Sequence, residues 1–350
     1  MSSSNDRPLP SGWSSGFSKS KQKPYFICGA TNHTQWHFPT DDDVADPKGA
    51  KHRVEETMRA ELAKRSASSG GGGPSQKRPK SSDAASVAII VPYRDLHAAQ
   101  NRARHLRQFV PHMLQFLKKL KRRGLVSDYH VYIVEQSDDG RKFNRGKLLN
   151  IGFDLARRDR RLGHNVFIFH DVDLLPGDDL GEWYAKFPQK PLHIARVWGR
   201  YSNNPKYFGG IVSFSAADMR KINGYPNTFW GWGGEDDEMQ KRCEKTNMKW
   251  ESPPRGTIRD LEEMSLKEKL DFLRANKKWK CMVKWEALDE HETTWQTNGL
   301  ADLRYDVLGK TPLDGAPSVE ESKATKVSVD VKLNPGHWGN DKCGVEFMGG

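Results

Sequence analysis

A mostly parallel α/β sheet flanked by helices is what this sequence predicts, with a small separate module ahead of it. Three observations carry that reading. Apolar runs at 87–93 (VAIIVPY), 129–136 (YHVYIVEQ) and 165–175 (NVFIFHDVDLL) read as buried strands, because runs of this length rich in Val, Ile and Phe suit a sheet covered on both faces. Between the first two, Leu106, Val110, Leu114, Leu117 and Leu120 share one helical stripe, interrupted near Pro111. Strands that alternate with helices argue for parallel crossovers. Residues 9–40 differ in kind, being short-spaced and aromatic, and a Ser/Gly-rich charged segment separates them from the rest.

The 350 residues leave room for one large domain and a small one. Only 36% are hydrophobic, which is low for a chain packed throughout, so part of it is expected outside any core. The net charge of +11 suits an acidic partner such as a phosphopeptide or nucleotide, or simply a solvated basic surface. No apolar run approaches the ~18 residues of a membrane-spanning helix. The start, MSSSNDRPLPSGW, has no apolar stretch of a secretory signal. A cytoplasmic or nuclear protein is the expectation. Cys28, Cys243, Cys281 and Cys343 form no CxxC pair, so neither a zinc site nor a disulfide framework is indicated.

These shifts divide the chain into a small module at 7–41, a charged helix and linker at 42–86, a large domain at 87–335 and a tail at 336–350. In the second segment Val54, Met58 and Leu62 make one narrow apolar stripe. The Ser/Gly stretch at 66–73 cannot bury enough surface to order itself, and reads as a flexible linker. The run Lys77-Arg78-Pro79-Lys80 reads as a nuclear import signal or a solvated basic run. It lacks interleaved aromatics, so nucleic-acid binding ranks low.

In the small module, Leu9-Pro10, Gly12-Trp13, Tyr25-Phe26, Thr34-Gln35-Trp36 and Pro39 are spaced as in WW domains, which this region resembles. The resemblance implies a three-stranded antiparallel sheet packed by Trp13 and Pro39. It also implies a slot for a proline ring formed by Phe26 and Trp36, with Tyr25 beside them. A polyproline helix is pre-ordered and presents flat apolar rings to such aromatics. The loop at 17–23 resembles that of WW domains preceding parvulin-type prolyl isomerases, where Ser18 and Lys19 match phosphate-holding positions. Hydroxyl plus ammonium suits a dianionic phosphate. The implied partner is a proline-containing or phospho-Ser/Thr-Pro peptide. Cys28 and Gly29 depart from the Asn-His that many WW domains carry.

In the large domain, Asp171 and Asp173 flank Val172 at the end of an apolar strand. A D-x-D there projects both carboxylates to one side, where they can meet a divalent cation and its diphosphate. The run WGWGGEDDE at 230–238 sets glycines beside two indoles, so a sugar ring can approach the backbone, and its acids supply a base. So many glycines cost conformational entropy that a plain turn would not spend.

With PYRD at 92–95, FNRGKLLN at 143–150, FHDVDLLP at 169–176, YFGG at 207–210 and NGYPN at 223–227, these runs resemble the beta-1,4-galactosyltransferase family over about 87–310. The resemblance implies a GT-A nucleotide-sugar transferase fold, an inverting reaction, UDP-galactose as donor, manganese, and a glycan or glycoconjugate acceptor. It places Pro92, Arg94, Phe143, Arg145, Asp171, Val172, Tyr207 and Trp232 at the donor, with Tyr207 crowding the sugar 2-substituent. Asp173 becomes the direct metal ligand and Asp236 the general base. Glu235 and Asp237 position the acceptor, beside Trp232, Gly233 and Gly234. Inversion is a single displacement, so one carboxylate takes the acceptor proton while a metal and basic groups stabilise the leaving UDP.

The pattern departs in three places. The family completes its metal site with a Met and a His, whereas GTIRDLEEM at 256–264 holds no His. Asp260 or Glu262 is the expected oxygen ligand instead, and His291 a further candidate. The segment 264–292 diverges, so the acceptor is not inherited, and the stretch between His193 and Tyr207 is shortened. Transfer of another UDP-sugar, such as glucose or N-acetylgalactosamine, and an inactive WW adaptor are the alternatives.

Overall fold

The computed structural model describes residues 8–18, 23–31, 33–35, 38–49, 85–95, 100–201, 203–204, 207–281 and 284–333. The chain divides into two units, Met1–Ser81 and Ser82–Gly350. The apolar stripe, the Ser/Gly stretch and the basic run of the linker, and the tail at 336–350, lie outside the described residues, as do Lys19, Trp36, Cys343 and the side chain of Ser18.

The first unit holds β1 (Trp13–Ser18), β2 (Lys23–Cys28) and β3 (His33–Gln35) in one antiparallel sheet. Side chains alternate between faces along a strand. Phe26 and Cys28 therefore share a face and are buried with Trp13, which pairs with Cys28. Phe26 is only 8% exposed and meets Phe38 edge-on with ring centroids 5.3 Å apart. This corrects the reading of Phe26 as a ligand-slot residue: it belongs to the core. Tyr25 points to the opposite face, over Gly16, where an added Cβ would stand 2.4 Å from the tyrosine ring. Helix α1 (Asp41–Ala45) starts at a capping box: Asp43 N donates to Thr40 Oγ1 at 3.3 Å, and Thr40 N to Asp43 Oδ2 at 3.0 Å.

The second unit is built on β4 (Ala85–Tyr93), β5 (Val126–Gln136), β6 (Val166–His170), β8 (Leu192–His193), β9 (Ile211–Phe214), β11 (Asp306–Pro312) and β12 (Ala324–Asp330). Their order across the sheet is β11-β12-β5-β4-β6-β9-β8. The central neighbours β12, β5, β4 and β6 run parallel, and the outer pairings are antiparallel. A separate two-stranded ladder joins β7 (Leu174–Pro176) to β10 (Ile258–Asp260). The apolar run at 165–175 thus folds as two strands with the D-x-D in the turn between them.

The helices are α2 (Arg102–Arg122), α3 (Arg145–Arg158), α4 (Gly181–Ala185), α5 (Ala216–Lys221), α6 (Glu235–Lys245), α7 (Leu266–Ala275) and α8 (Lys284–Thr294). Alternation along β4 serves two cores: Val87, Ile89 and Val91 pack with the α2 side, Ala88 and Ile90 with the α3 side. Helix α2 runs unbroken through Pro111, against the expected interruption. Pro111 faces solvent, and so does Arg107, whose carbonyl loses its donor, so water can answer it. Seven buried side chains on the other face hold the helix to the sheet.

The chain leaves β4 for β5 through α2 and leaves β5 for β6 through α3, on opposite sides of β4. Where such connections diverge, a crevice opens at the carboxyl ends of the strands. Helix α3 approaches the sheet closely enough that a Cβ on Gly152 would stand 2.3 Å from Ile90 Cγ2. Gly152→Val should lower stability by about 1–3 kcal/mol through overpacking, read as an earlier urea unfolding midpoint.

Candidate active site

Arg94, Asp171 and Arg145 meet at this carboxyl edge because each follows a strand or opens a helix there. Arg94 lies just past β4, donates from Nη1 to the Arg141 carbonyl at 2.6 Å, and places Nη2 3.2 Å from Asp139 Oδ1. Asp171 lies just past β6, and its amide donates to Gly210 O at 2.9 Å. Arg145 opens α3 behind Asn144, whose side chain accepts from Lys147 N at 3.0 Å.

The Arg145 guanidinium joins three carboxylates. Nε and Nη2 each lie 2.8 Å from Asp171 Oδ1, Nη1 donates to Asp236 Oδ1 at 2.8 Å, and Glu235 Oε1 is 3.4 Å away. Enclosure pushes Asp236 up to about 7; Arg145 opposes that shift and Glu235 adds to it. Asp171 is raised to about 6 by enclosure, opposed by Arg145 and helped by Asp173 and Asp236. A carboxylate that titrates near neutrality beside a crevice is suited to proton transfer.

Backbone geometry sets these acids in place. Gly231, Gly233 and Gly234 have φ of +93°, +101° and +108°, a region where side chains are strained. A Cβ on Gly234 would stand 2.4 Å from the Phe229 ring, so the chain turns into α6 directly over that ring. The side of Asp236 lies against bare backbone: a Cβ on Gly209 would stand 2.2 Å from its Oδ2. Upstream, Asn150 holds the turn, accepting from Tyr225 N at 2.8 Å and donating to Tyr225 O at 2.8 Å and Asn227 Oδ1 at 2.9 Å.

Trp232 is 38% exposed, and its main chain is bridged to the segment before α8, donating to Trp279 O at 2.7 Å and accepting from Cys281 N at 3.1 Å. Gly233 is half-buried beside it, whereas Gly234 is buried. Asp237 is paired with Lys284 at 2.5 Å.

A second charged group surrounds Asp173. Arg102 Nη1 donates to Asp173 Oδ2 at 2.7 Å and Arg102 Nη2 to Glu262 Oε1 at 3.0 Å. Arg200 bridges Glu262 Oε2 at 2.7 Å and Asp260 Oδ2 at 2.6 Å, and Lys269 also pairs with Glu262. Burial alone would raise Asp173, but Arg102 holds it well below the usual carboxylate range. Burial would raise Glu262 too, yet it is lowered, with Arg102 and Lys269 offsetting both burial and Asp173. Asp173, Asp260 and Glu262 are therefore brought together as the sequence predicts, but as ion pairs. Their oxygens are the donor type a hard divalent cation takes. Among the described residues, no group of three or more His, Cys, Asp or Glu side chains is arranged to hold one. Arg102, Arg200 and Lys269 escaped the sequence reading because α2, the 199–201 turn and α7 meet only in the fold.

The other expected donor residues contribute differently. Tyr207 stacks on Tyr201 with centroids 4.0 Å apart, and burial raises its hydroxyl well above the ordinary value. Phe143 packs on the core, and its carbonyl accepts from Gly231 N at 2.8 Å. Pro92 is buried within β4, and Val172 is 5% exposed in the α2-side core, so only its main chain can face a donor. His291 is not a metal candidate: it is fully buried, with Nε2 3.1 Å from Thr228 Oγ1 and Nδ1 3.0 Å from Arg242 Nη2.

The sheet order and this site define a GT-A-like α/β fold. The solved catalytic domain of Drosophila beta-1,4-galactosyltransferase 7 with xylobiose superposes with a TM-score of 0.53 at 27% identity, covering 71% of this chain and 94% of that one. The same enzyme as a mutant with manganese, UDP-Gal and xylobiose gives a TM-score of 0.54. Residues 48–185 match the profile described as the N-terminal region of glycosyl transferase group 7, and residues 189–267 one described as the N-terminal domain of galactosyltransferase. Human beta-1,4-galactosyltransferase 4 is 33% identical over 227 residues, covering 63% of this chain and 59% of that protein. Beta-1,4-galactosyltransferase 3 of Cricetulus griseus is 34% identical over 237 residues, covering 67% and 54%. The chain thus spans somewhat over half the length of these curated relatives, and its second unit is similar in sequence and fold to beta-1,4-galactosyltransferases.

Arg145→Met leaves Asp171, Glu235 and Asp236 without their shared cation. It should cost about 2 kcal/mol of stability at neutral pH. The loss should shrink toward pH 5, where Asp171 and Asp236 take up protons, and paired urea titrations at the two pH values measure it.

Proposed function

We propose that this chain is an inverting glycosyltransferase that moves galactose from UDP-galactose to a sugar hydroxyl, forming a beta-1,4 linkage. The observation that carries the reading is Asp236, held by Arg145 beside Asp171 with its carboxyl raised to about 7. The similarity to galactosyltransferases and the manganese, UDP-Gal and xylobiose bound by the Drosophila relative support it.

In this reading Asp236 accepts the proton of the attacking hydroxyl. Arg145 steadies the carboxylate that results and keeps it turned to the crevice. Trp232, exposed at the rim, offers a flat face for a sugar, and the Tyr207–Tyr201 stack walls the donor side. Manganese would supply charge to offset that growing on the departing diphosphate, and Asp173, Asp260 and Glu262 would hold it only once released from Arg102, Arg200 and Lys269. Arg94 and Arg145 add fixed positive charge nearby.

Release of UDP from UDP-galactose, with UDP-glucose and UDP-N-acetylgalactosamine in parallel and a panel of sugar acceptors, tests the proposal. Asp236→Asn should lower kcat by about 10²–10⁴-fold. The wild-type kcat/KM should climb as pH rises through about 7, because Asp236 serves as a base only after losing its proton. No turnover and no binding of any UDP-sugar would instead favour the non-catalytic adaptor.

We further propose that the N-terminal unit acts as a WW-type module for proline-containing or phospho-Ser/Thr-Pro segments in a nucleocytoplasmic setting. Its antiparallel sheet, its Trp13–Phe26 core and the buried Pro39 support this. Tyr25, on the face away from that core, is the binding aromatic in this reading. Fluorescence titration of the full chain with phosphorylated and unphosphorylated Ser-Pro peptides should show saturable binding that Tyr25→Ala weakens about tenfold.

A further inference from the structure

We propose that Arg102, backed by the buried cations Arg200 and Lys269, takes the donor's diphosphate itself, so that UDP binds this chain without a divalent ion. The inference rests on the nucleotide-sugar reading above and adds the means of diphosphate recognition. A D-x-D of bare carboxylates repels a diphosphate until a cation enters. Here three carboxylates, Asp173, Asp260 and Glu262, meet three cations supplied by the chain. The group is close to neutral before any metal arrives, and the repulsion that makes a cation obligatory for binding is already cancelled.

The cations come from three separate elements. Arg200 is seated over the Trp198 ring, 4.7 Å from its centroid. The side chains of Arg200 and Lys269 are 5% and 4% exposed, while Arg102 is 17% exposed and so presents an accessible edge beside Asp173. A guanidinium fork suits two phosphate oxygens as it suits a carboxylate, so Arg102 can pass from Asp173 to a diphosphate without losing its hydrogen bonds. The sequence carries the counterpart of this arrangement: the 256–264 segment has no histidine to complete a metal set.

Calorimetric titration of the full-length protein with UDP, in EDTA and in Mn²⁺, tests this. Wild type should bind UDP in EDTA with a Kd within about tenfold of that in Mn²⁺. Arg102→Met should weaken binding in EDTA about tenfold or more, with Arg102→Lys intermediate. In Mn²⁺ the loss in Arg102→Met should be smaller, because Asp173 is then free for the ion. Lys269→Met, which leaves Asp173 with Arg102, guards against a folding defect and should weaken EDTA binding as well. UDP binding only in Mn²⁺ overturns the inference and leaves the donor reading intact. Binding in EDTA that neither variant weakens also overturns it. No UDP binding in either condition overturns the donor reading itself.

Discussion

One guanidinium organises the reactive edge of this molecule. Arg145 stands at the first turn of α3 and contacts Asp171 after β6 and both Glu235 and Asp236 at the start of α6. Three carboxylates packed that closely would otherwise repel one another and turn outward, or neutralise by taking up protons. The arginine lets Asp236 remain enclosed and still titrate near neutrality, the condition for a base that works on a weakly acidic hydroxyl. Its place is fixed from behind. Asn144 caps the helix, Gly152 lets that helix lie close on the sheet, and Asn150 ties it to the 225–227 turn leading into α6.

The glycines of the 230–238 run serve the same end. They bend the chain where side chains would be strained and let Phe229 pass beneath Gly234. Gly209 does so from the opposite wall, clearing room for the Asp236 carboxylate. The site is therefore a charged centre enclosed by backbone, with Trp232 at its rim. The ion-paired cluster at Asp173 lies across the D-x-D turn from it. The two aspartates, two residues apart, are drawn to different cations, Asp171 to Arg145 and Asp173 to Arg102.

Much of this was legible in the residues. Strand runs at 87–93 and 129–136 fall within β4 and β5, and the D-x-D lies at a strand end as its composition implied. Pro111 predicts a break because its ring removes a helical hydrogen bond. The loss falls on the solvent side, and the buried stripe outweighs it. The WW resemblance implies a ligand slot at Phe26, yet two-residue alternation from Trp13's partner Cys28 puts it in the core. His291 looked like a spare ligand, but it is locked beside Arg242 and Glu238 in a buried polar network.

The α/β class, the D-x-D and the glycine-flanked acidic run can be read from residue order alone, because each is written in local periodicity or in adjacent residues. What those groups are paired with follows from the folded chain. Arg102 lies 71 positions from Asp173, and Arg145 lies 91 from Asp236. No local pattern records such a meeting, since it is made by crossovers that bring separate helix starts to one sheet edge. The charged residues are named by the sequence, but their effect depends on distance and enclosure, and these belong to the fold alone.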